Sequence, residues 1–283
     1  MVTAGSLAAA ARRAAFFLAV SALAAPPQRI VSCAPSITEM LYAMGLGDRI
    51  VAVTDYDHYP PEAAGKPKIG GYTSPNLEAI AARKPDLVII ESNPVRLADQ
   101  LAALHLKTLE IHQDDLAALY RSIQMVGEAA GAPAQAARLT ESIRQGLDQV
   151  RQRAAGQRRT RVMFVVGRAP NRLDGLIIAG RGSHIHELLE IAGGENVFAD
   201  TRLAYPMVSL EEVLARNPGV IVDMSEERER QNEVAAVWAR APSLAAVKQH
   251  RVFSVNPDIY AIPGPRIVQG AQALYEMLHP EPR

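Results

Sequence analysis

Two segments of this chain repeat one another at an offset of 133 positions, from Glu78 to Glu211, and the residues they share are of types that recognise rather than react. Tyr72, Leu77, Glu78, Ala82, Arg83 and Pro85 return as Tyr205, Leu210, Glu211, Ala215, Arg216 and Pro218. Each tyrosine offers a flat aromatic face of the kind that walls small-molecule clefts, where a stacked pair is worth ~0.5–1.5 kcal/mol beyond its buried area. Each glutamate falls two residues after a helix-capping residue, Asn76 or Ser209. It therefore belongs to the first turn of a short helix, where the helix dipole favours an anion. Packing of a duplicated unit accounts for the leucines and prolines. It does not account for an aromatic and a glutamate at matching exposed positions. Two carboxylates on separate lobes stand too far apart for paired acid/base work, so the residues point to binding and not to an enzyme.

Other reactive side chains form no convergent set. The seven histidines show no metal-ligand spacing, since His184 and His186 at i, i+2 diverge on a helix. His58, on the loop near Tyr56, has the setting of a polar surface residue. Arg168 and Arg172 suit either a ligand carboxylate or phosphate, or the solvent surface. Gly180-Arg181-Gly182-Ser183 lacks the ending of a phosphate loop and reads as a tight turn that can cap a helix or meet an anion. An exported metal enzyme, the remote alternative, needs an acid/base pair beside a metal site, and the sequence offers neither.

Elements that could position these residues alternate along the chain. Ile30–Cys33, Ile50–Thr54 and Asp86–Ile90 read as strands, the last apolar on both faces, and helical segments lie between them. That pattern argues for parallel α/β sheets. Ser36 or Thr38 is placed to cap the first helix. From Asp114 to Arg153 there is no strand signal, and Leu139, Ile143, Leu147 and Val150 mark one face of a long helix. Strand patterns resume at Arg161–Val166, Gly219–Asp223 and Arg251–Val255. The expected fold is α/β, with two Rossmann-like lobes and parallel-rich central sheets bridged by one long α-helix. The expected boundaries are 26–130 for the first lobe, 131–157 for the bridging helix and 158–283 for the second lobe.

Residues 1–25 read as a cleaved signal peptide. Arg12 and Arg13 precede a short apolar run, and Ala22-Leu23-Ala24 fits the cleavage rule. Cys33, the single cysteine, does not follow that apolar run directly and reads as a buried strand residue. Lys plus Arg and Asp plus Glu number 30 each, so nothing in the net charge seeks nucleic acid or an anionic membrane.

Four motifs in order resemble the substrate-binding proteins of ABC importers for cobalamin, haem and ferric siderophores. They are Ala34-Pro-Ser-Ile-Thr-Glu-Met-Leu-Tyr-Ala-Met-Gly45, Lys84-Pro-Asp-Leu-Val-Ile89, Gly193-Gly-Glu-Asn-Val-Phe198 and Val208-Ser-Leu-Glu-Glu-Val-Leu-Ala-Arg216. The resemblance covers nearly all of the chain after the signal segment and is closest to the cobalamin-binding members. It implies a periplasmic protein, monomeric, with no intrinsic cofactor and no membrane insertion. Such a protein takes a corrinoid between its lobes, with haem or a ferric siderophore as alternatives and an exported tetrapyrrole enzyme as the remote one, and His58 or Tyr72 is then a candidate axial ligand to the metal that the ligand brings. By the same resemblance Tyr56, Tyr72, Tyr205, Trp238, Asp258 and Tyr260 map to ligand contacts. Glu78 and Glu211 map to the two glutamates that dock on the importer's membrane subunits. Tryptophans of the family pattern are tyrosines at 72 and 205 here, and Ile259 replaces another aromatic.

Overall fold

The computed structural model describes residues 25–92, 96–224 and 231–280. The expected signal segment lies, but for its last residue, outside them. In the first lobe the order is β1 (Ile30–Ser32), α1 (Pro35–Ala43), β2 (Ile50–Ala52), α2 (Pro61–Ala64), α3 (Leu77–Ala82), β3 (Leu87–Glu91), α4 (Leu97–Ala103), β4 (Thr108–Ile111) and α5 (Leu116–Ala129). The four strands form one parallel sheet in the order β2-β1-β3-β4. All three residues of β1 and four of the five in β3 are buried, as a parallel sheet covered on both faces requires.

A single helix, α6 (Pro133–Ala154), then leads to the second lobe. Its Ile143, Leu147 and Val150 are buried in the stripe its periodicity predicts. Glycines let it lie close to its neighbours. A Cβ on Gly127 of α5 would come within 2.3 Å of the Ala136 Cβ, and one on Gly146 within 2.7 Å of Val268. The stretch without strand signal after Asp114 is built as two helices, α5 and α6. The chain turns between α5 and α6 at Gly131, whose φ of 69° suits a residue without a Cβ.

The second lobe runs β5 (Thr160–Gly167), β6 (Leu176–Ile178), α7 (His184–Ile191), β7 (Gly194–Asn196), β8 (Met207–Val208), α8 (Leu210–Arg216), β9 (Val220–Asp223), α9 (Gln231–Trp238), α10 (Ala245–Lys248), β10 (Val252–Ser254), α11 (Asp258–Ala261) and α12 (Ile267–Leu278). Its sheet follows β10-β9-β5-β6-β8, with β7 also on β5. Strand pairs β10–β9, β9–β5 and β5–β7 are parallel, whereas β6 is antiparallel to both neighbours.

One apolar core runs through both lobes, from Ile37 and Leu41 of α1, across Ile143 and Leu147 of α6, to Phe164, Leu188 and Leu274. Two further clusters cover the outer faces of the sheets, one around Trp238 and one around Ile80 and Leu101. The sequence repeat is a structural one: α3–β3 matches α8–β9. Even the backbone at the junction agrees, since Lys84 and Asn217 occupy equivalent positions and both are left-handed, with φ of 47° and 44°. The first helix differs from the sequence reading. It begins at Pro35, with Ala34 as its cap residue and no side-chain cap, because Pro at the first helical position is pre-set for the turn and lacks the orphan N–H.

Candidate functional site

Loops at the carboxyl ends of parallel strands are where open α/β sheets hold ligands, and there the two lobes meet. After β2, the buried Asp57 accepts the Thr54 N–H at 2.8 Å and also takes the Thr54 hydroxyl. The Thr54 hydroxyl oxygen in turn accepts the Tyr56 N–H at 3.3 Å. This locked turn presents Tyr56, which is 60% exposed. Its ring passes over Gly71, where a Cβ would sit 3.7 Å from Tyr56 Cε2. Gly71 directly precedes Tyr72, so the two tyrosines are neighbours across one glycine.

Tyr72 donates its hydroxyl to the Ser92 carbonyl at 3.4 Å, just past the end of β3. With Ser36 and Glu91 of the first lobe and Ala261, Ile262 and Pro263 of the second, it lines a cavity of about 200 Å³. Tyr205 arrives from the other side. Its hydroxyl lies 3.4 Å from His184 Nδ1, while His184 Nε2 lies 2.7 Å from the Tyr260 carbonyl. A carbonyl only accepts, so Nε2 carries the proton and Nδ1 accepts from Tyr205. The His184 N–H meets the Asp114 carbonyl at 3.0 Å. Glu187 accepts the Leu116 N–H at 2.7 Å, so the starts of α7 and α5 are stitched across the lobes.

The floor of this cleft is acidic. Burial, then the nearby Asp114, raises Glu91 to about 7; Ser36 stands near enough to favour the charged form but not in hydrogen-bonding geometry. Burial first, with Glu91 and Asp114 adding to it, pushes the Tyr72 and Tyr205 phenols up to about 12. Although Tyr205 as a whole is 45% exposed, its hydroxyl end is the deep end, beside a buried imidazole. Burial lowers His184, against the opposing effects of the Tyr260 carbonyl and Asp114. Sequence reasoning missed Glu91, Asp114, Ser36 and His184. A carboxylate closing an otherwise apolar strand was the available signal for Glu91.

Two expected wall residues lie elsewhere. Trp238 has no exposed surface: it packs in the outer core of the second lobe and donates its indole N–H to Asp223 at 2.7 Å. Tyr260 is 1% exposed, with its ring centroid 5.1 Å from that of Phe164, and it reaches the cleft seam only through its carbonyl. Both side chains are core, because burying a large aromatic gains more than lining water with it. Asp258 is half-buried and acts electrostatically on Glu39 and Arg266. Arg168 is neither a ligand contact nor a surface residue; its buried side chain pairs with Asp223 at 2.9 Å. Arg172 pairs with Asp174 on the surface, and His58 is exposed.

Glu78 and Glu211 are both exposed in the first turns of α3 and α8. Asn76 caps α3 by accepting the Ala79 N–H at 2.9 Å, and Ser209 forms a full capping box with Glu212. Ser183 caps α7, which is the use made of the glycine-rich turn before it. Cys33 is buried, its thiol raised to about 12 by burial and then by Asp57. A larger cavity, about 730 Å³, opens beside Arg159, Arg161 and Arg251. It lies at the amino ends of β5, β9 and β10, the wrong end of the sheet for ligand capture, so size is no guide here. Among the described residues no group of three or more His, Cys, Asp and Glu could hold a metal ion, and no helix is long and apolar enough to cross a membrane.

Comparison with known proteins agrees with this geometry. The chain is 34% identical over 271 residues, 94% of its length, to a vitamin B12-binding protein of Yersinia pseudotuberculosis, of which 92% is covered. It is similar to the crystal structure of the periplasmic vitamin B12 binding protein of Vibrio cholerae, with a TM-score of 0.75, 29% identity and coverage of 89% of this chain and 97% of that one. A periplasmic haem binding protein from Pseudomonas aeruginosa superimposes with a TM-score of 0.79 at 26% identity, over 91% of this chain and 94% of that one. The family model described as periplasmic binding protein matches residues 30–259, from the first strand through both sheets into α11, and the chain belongs to that family.

Proposed function

We propose that this protein captures a corrinoid, cobalamin or a close relative, in the cleft between its lobes and hands it to an ABC importer. The observation that carries the reading is the 34% identity, along nearly the whole chain, to relatives named vitamin B12-binding protein. The aromatic side chains support it, with Tyr56 beside Gly71 next to Tyr72 and with Tyr72 and Tyr205 sharing Glu91 and Asp114 as neighbours, because a flat macrocycle is held well between aromatic faces. In this reading the protein works in the periplasm after loss of residues 1–25, acts as a monomer, and carries out no chemistry of its own. Glu78 and Glu211, one exposed on each lobe, are the contacts offered to the membrane subunits.

Haem is the second reading, supported by the haem-binding structural neighbour and by the phenol oxygens in the cleft. The electrostatics weigh against it. A tyrosine ligates ferric iron as phenolate, and burial plus two carboxylates push both phenols up to about 12. Isothermal titration with cyanocobalamin, with hemin followed by absorbance in parallel, tests the choice. One-to-one binding of cyanocobalamin is expected. A hemin spectral shift with no corrinoid binding overturns the reading.

A further inference from the structure

Aromatic walls alone do not call for the charge beneath them. Glu91 ends β3, and Asp114 follows the adjacent parallel strand β4, with Glu91 opposite Ile111 in register. Both carboxylates therefore rise from one edge of the first sheet, and each of Tyr72 and Tyr205 feels both as negative neighbours. Beside Glu91, Ser36 is 2% exposed and lines the same cavity, and among the described residues its hydroxyl has no hydrogen-bond partner. Among the described residues, no lysine or arginine lines that cavity.

A carboxylate only accepts hydrogen bonds, whereas a hydroxyl also donates. Side by side they complement the two ends of a primary amide, its N–H directed to Glu91 and its oxygen to Ser36. An ionised carboxylate on a ligand brings acceptors alone. It would face two like charges on partly desolvated ground, where repulsion is poorly screened. We propose that Glu91, with Asp114 and Ser36, reads the rim of the bound macrocycle, accepting one bordered by amides and rejecting one bordered by ionised carboxylates. The proposal rests on the corrinoid reading and deepens it. Corrinoids carry amide side chains where haem carries carboxylates, so these residues separate the two ligand classes that share the fold.

Two corrinoids with the same ring and axial cyanides test it: dicyanocobinamide, bordered by amides, and dicyanocobyrinic acid, bordered by carboxylates. Wild type, Glu91→Gln and Asp114→Asn are titrated with each at pH 8, where Glu91 is charged. Wild type is expected to prefer the amide form by tenfold or more. Each variant is expected to cut that ratio at least threefold, mainly by binding the acid more tightly. A wild-type ratio near one, or a ratio unchanged in both variants, overturns the proposal and leaves the corrinoid reading standing. Binding of neither corrinoid by wild type overturns that reading, and the proposal with it. Thermal melts verify folding; if Glu91→Gln does not fold, Asp114→Asn, altered at an exposed residue, decides.

Discussion

Arg266 holds Glu39 through two guanidinium nitrogens, with Nε 3.1 and 3.0 Å from the two carboxylate oxygens. The pair ties the start of α12 in the second lobe to α1 in the first. Only 2% of the Glu39 side chain and 12% of the Arg266 side chain are exposed, and the Tyr59 ring covers the guanidinium at 4.2 Å. Removing one partner strands a buried charge. Arg266→Ala is expected to cost roughly 3–5 kcal/mol in urea unfolding, and Arg266→Met combined with Glu39→Leu is expected to recover most of it. A loss below ~1 kcal/mol in the single variant would mean that water screens the pair.

The cleft tyrosines are expected to act on affinity. Tyr72→Ala and Tyr205→Ala should each weaken cyanocobalamin binding about tenfold or more, ~1.4 kcal/mol, with little change in melting temperature. Calorimetry on both variants checks this, and unchanged affinity in both would remove the tyrosines from the site.

Glu78 and Glu211 are expected to act on delivery. Glu78→Ala and Glu211→Ala, separately and together, should leave ligand affinity within about twofold, since an exposed side chain away from the ligand contributes little there. Corrinoid uptake into cells relying on this protein should fall, most in the double variant. Full uptake by the double variant would end the docking assignment.

Glu91 gives a pH signature. Its folded value of about 7 lies above the ordinary carboxylate value, so the folded chain binds the proton more tightly than the unfolded one. The stability it adds is complete below the ordinary carboxylate value and is lost as pH rises through about 7. Between pH 5 and pH 8 wild type should lose about 2–3 kcal/mol more than Glu91→Gln. Urea unfolding at the two pH values measures the difference, and parallel losses would place Glu91 in open water.

Much of the architecture was legible because local signals agreed with the global fold. The Leu139–Val150 stripe, the doubly apolar β3 and the Tyr–Leu–Glu–Arg–Pro repeat each carry a period or a spacing, and the structure builds α6, a buried parallel strand and twin α/β units from them. Trp238 and Tyr260 were misjudged because residue type alone does not say which side of a sheet an aromatic faces. Tyr205 and Tyr260 look alike in sequence, yet one is 45% exposed and the other 1%. Asp114 and His184 could not be read together at all. They are 70 positions apart and meet through a backbone hydrogen bond across the lobes, a contact that exists only once both sheets have formed.

Trp238 also decides what fluorescence can report. It is the single indole of the chain, it is fully shielded, and its N–H is occupied by Asp223. Its emission is expected at short wavelength and out of reach of iodide until the second lobe unfolds. A ligand in the cleft cannot touch this ring and can dim it only at a distance, by absorbing where the indole emits. Quenching by a coloured macrocycle therefore measures nearness without contact, and a colourless fragment bound in the same cleft should leave the signal unmoved.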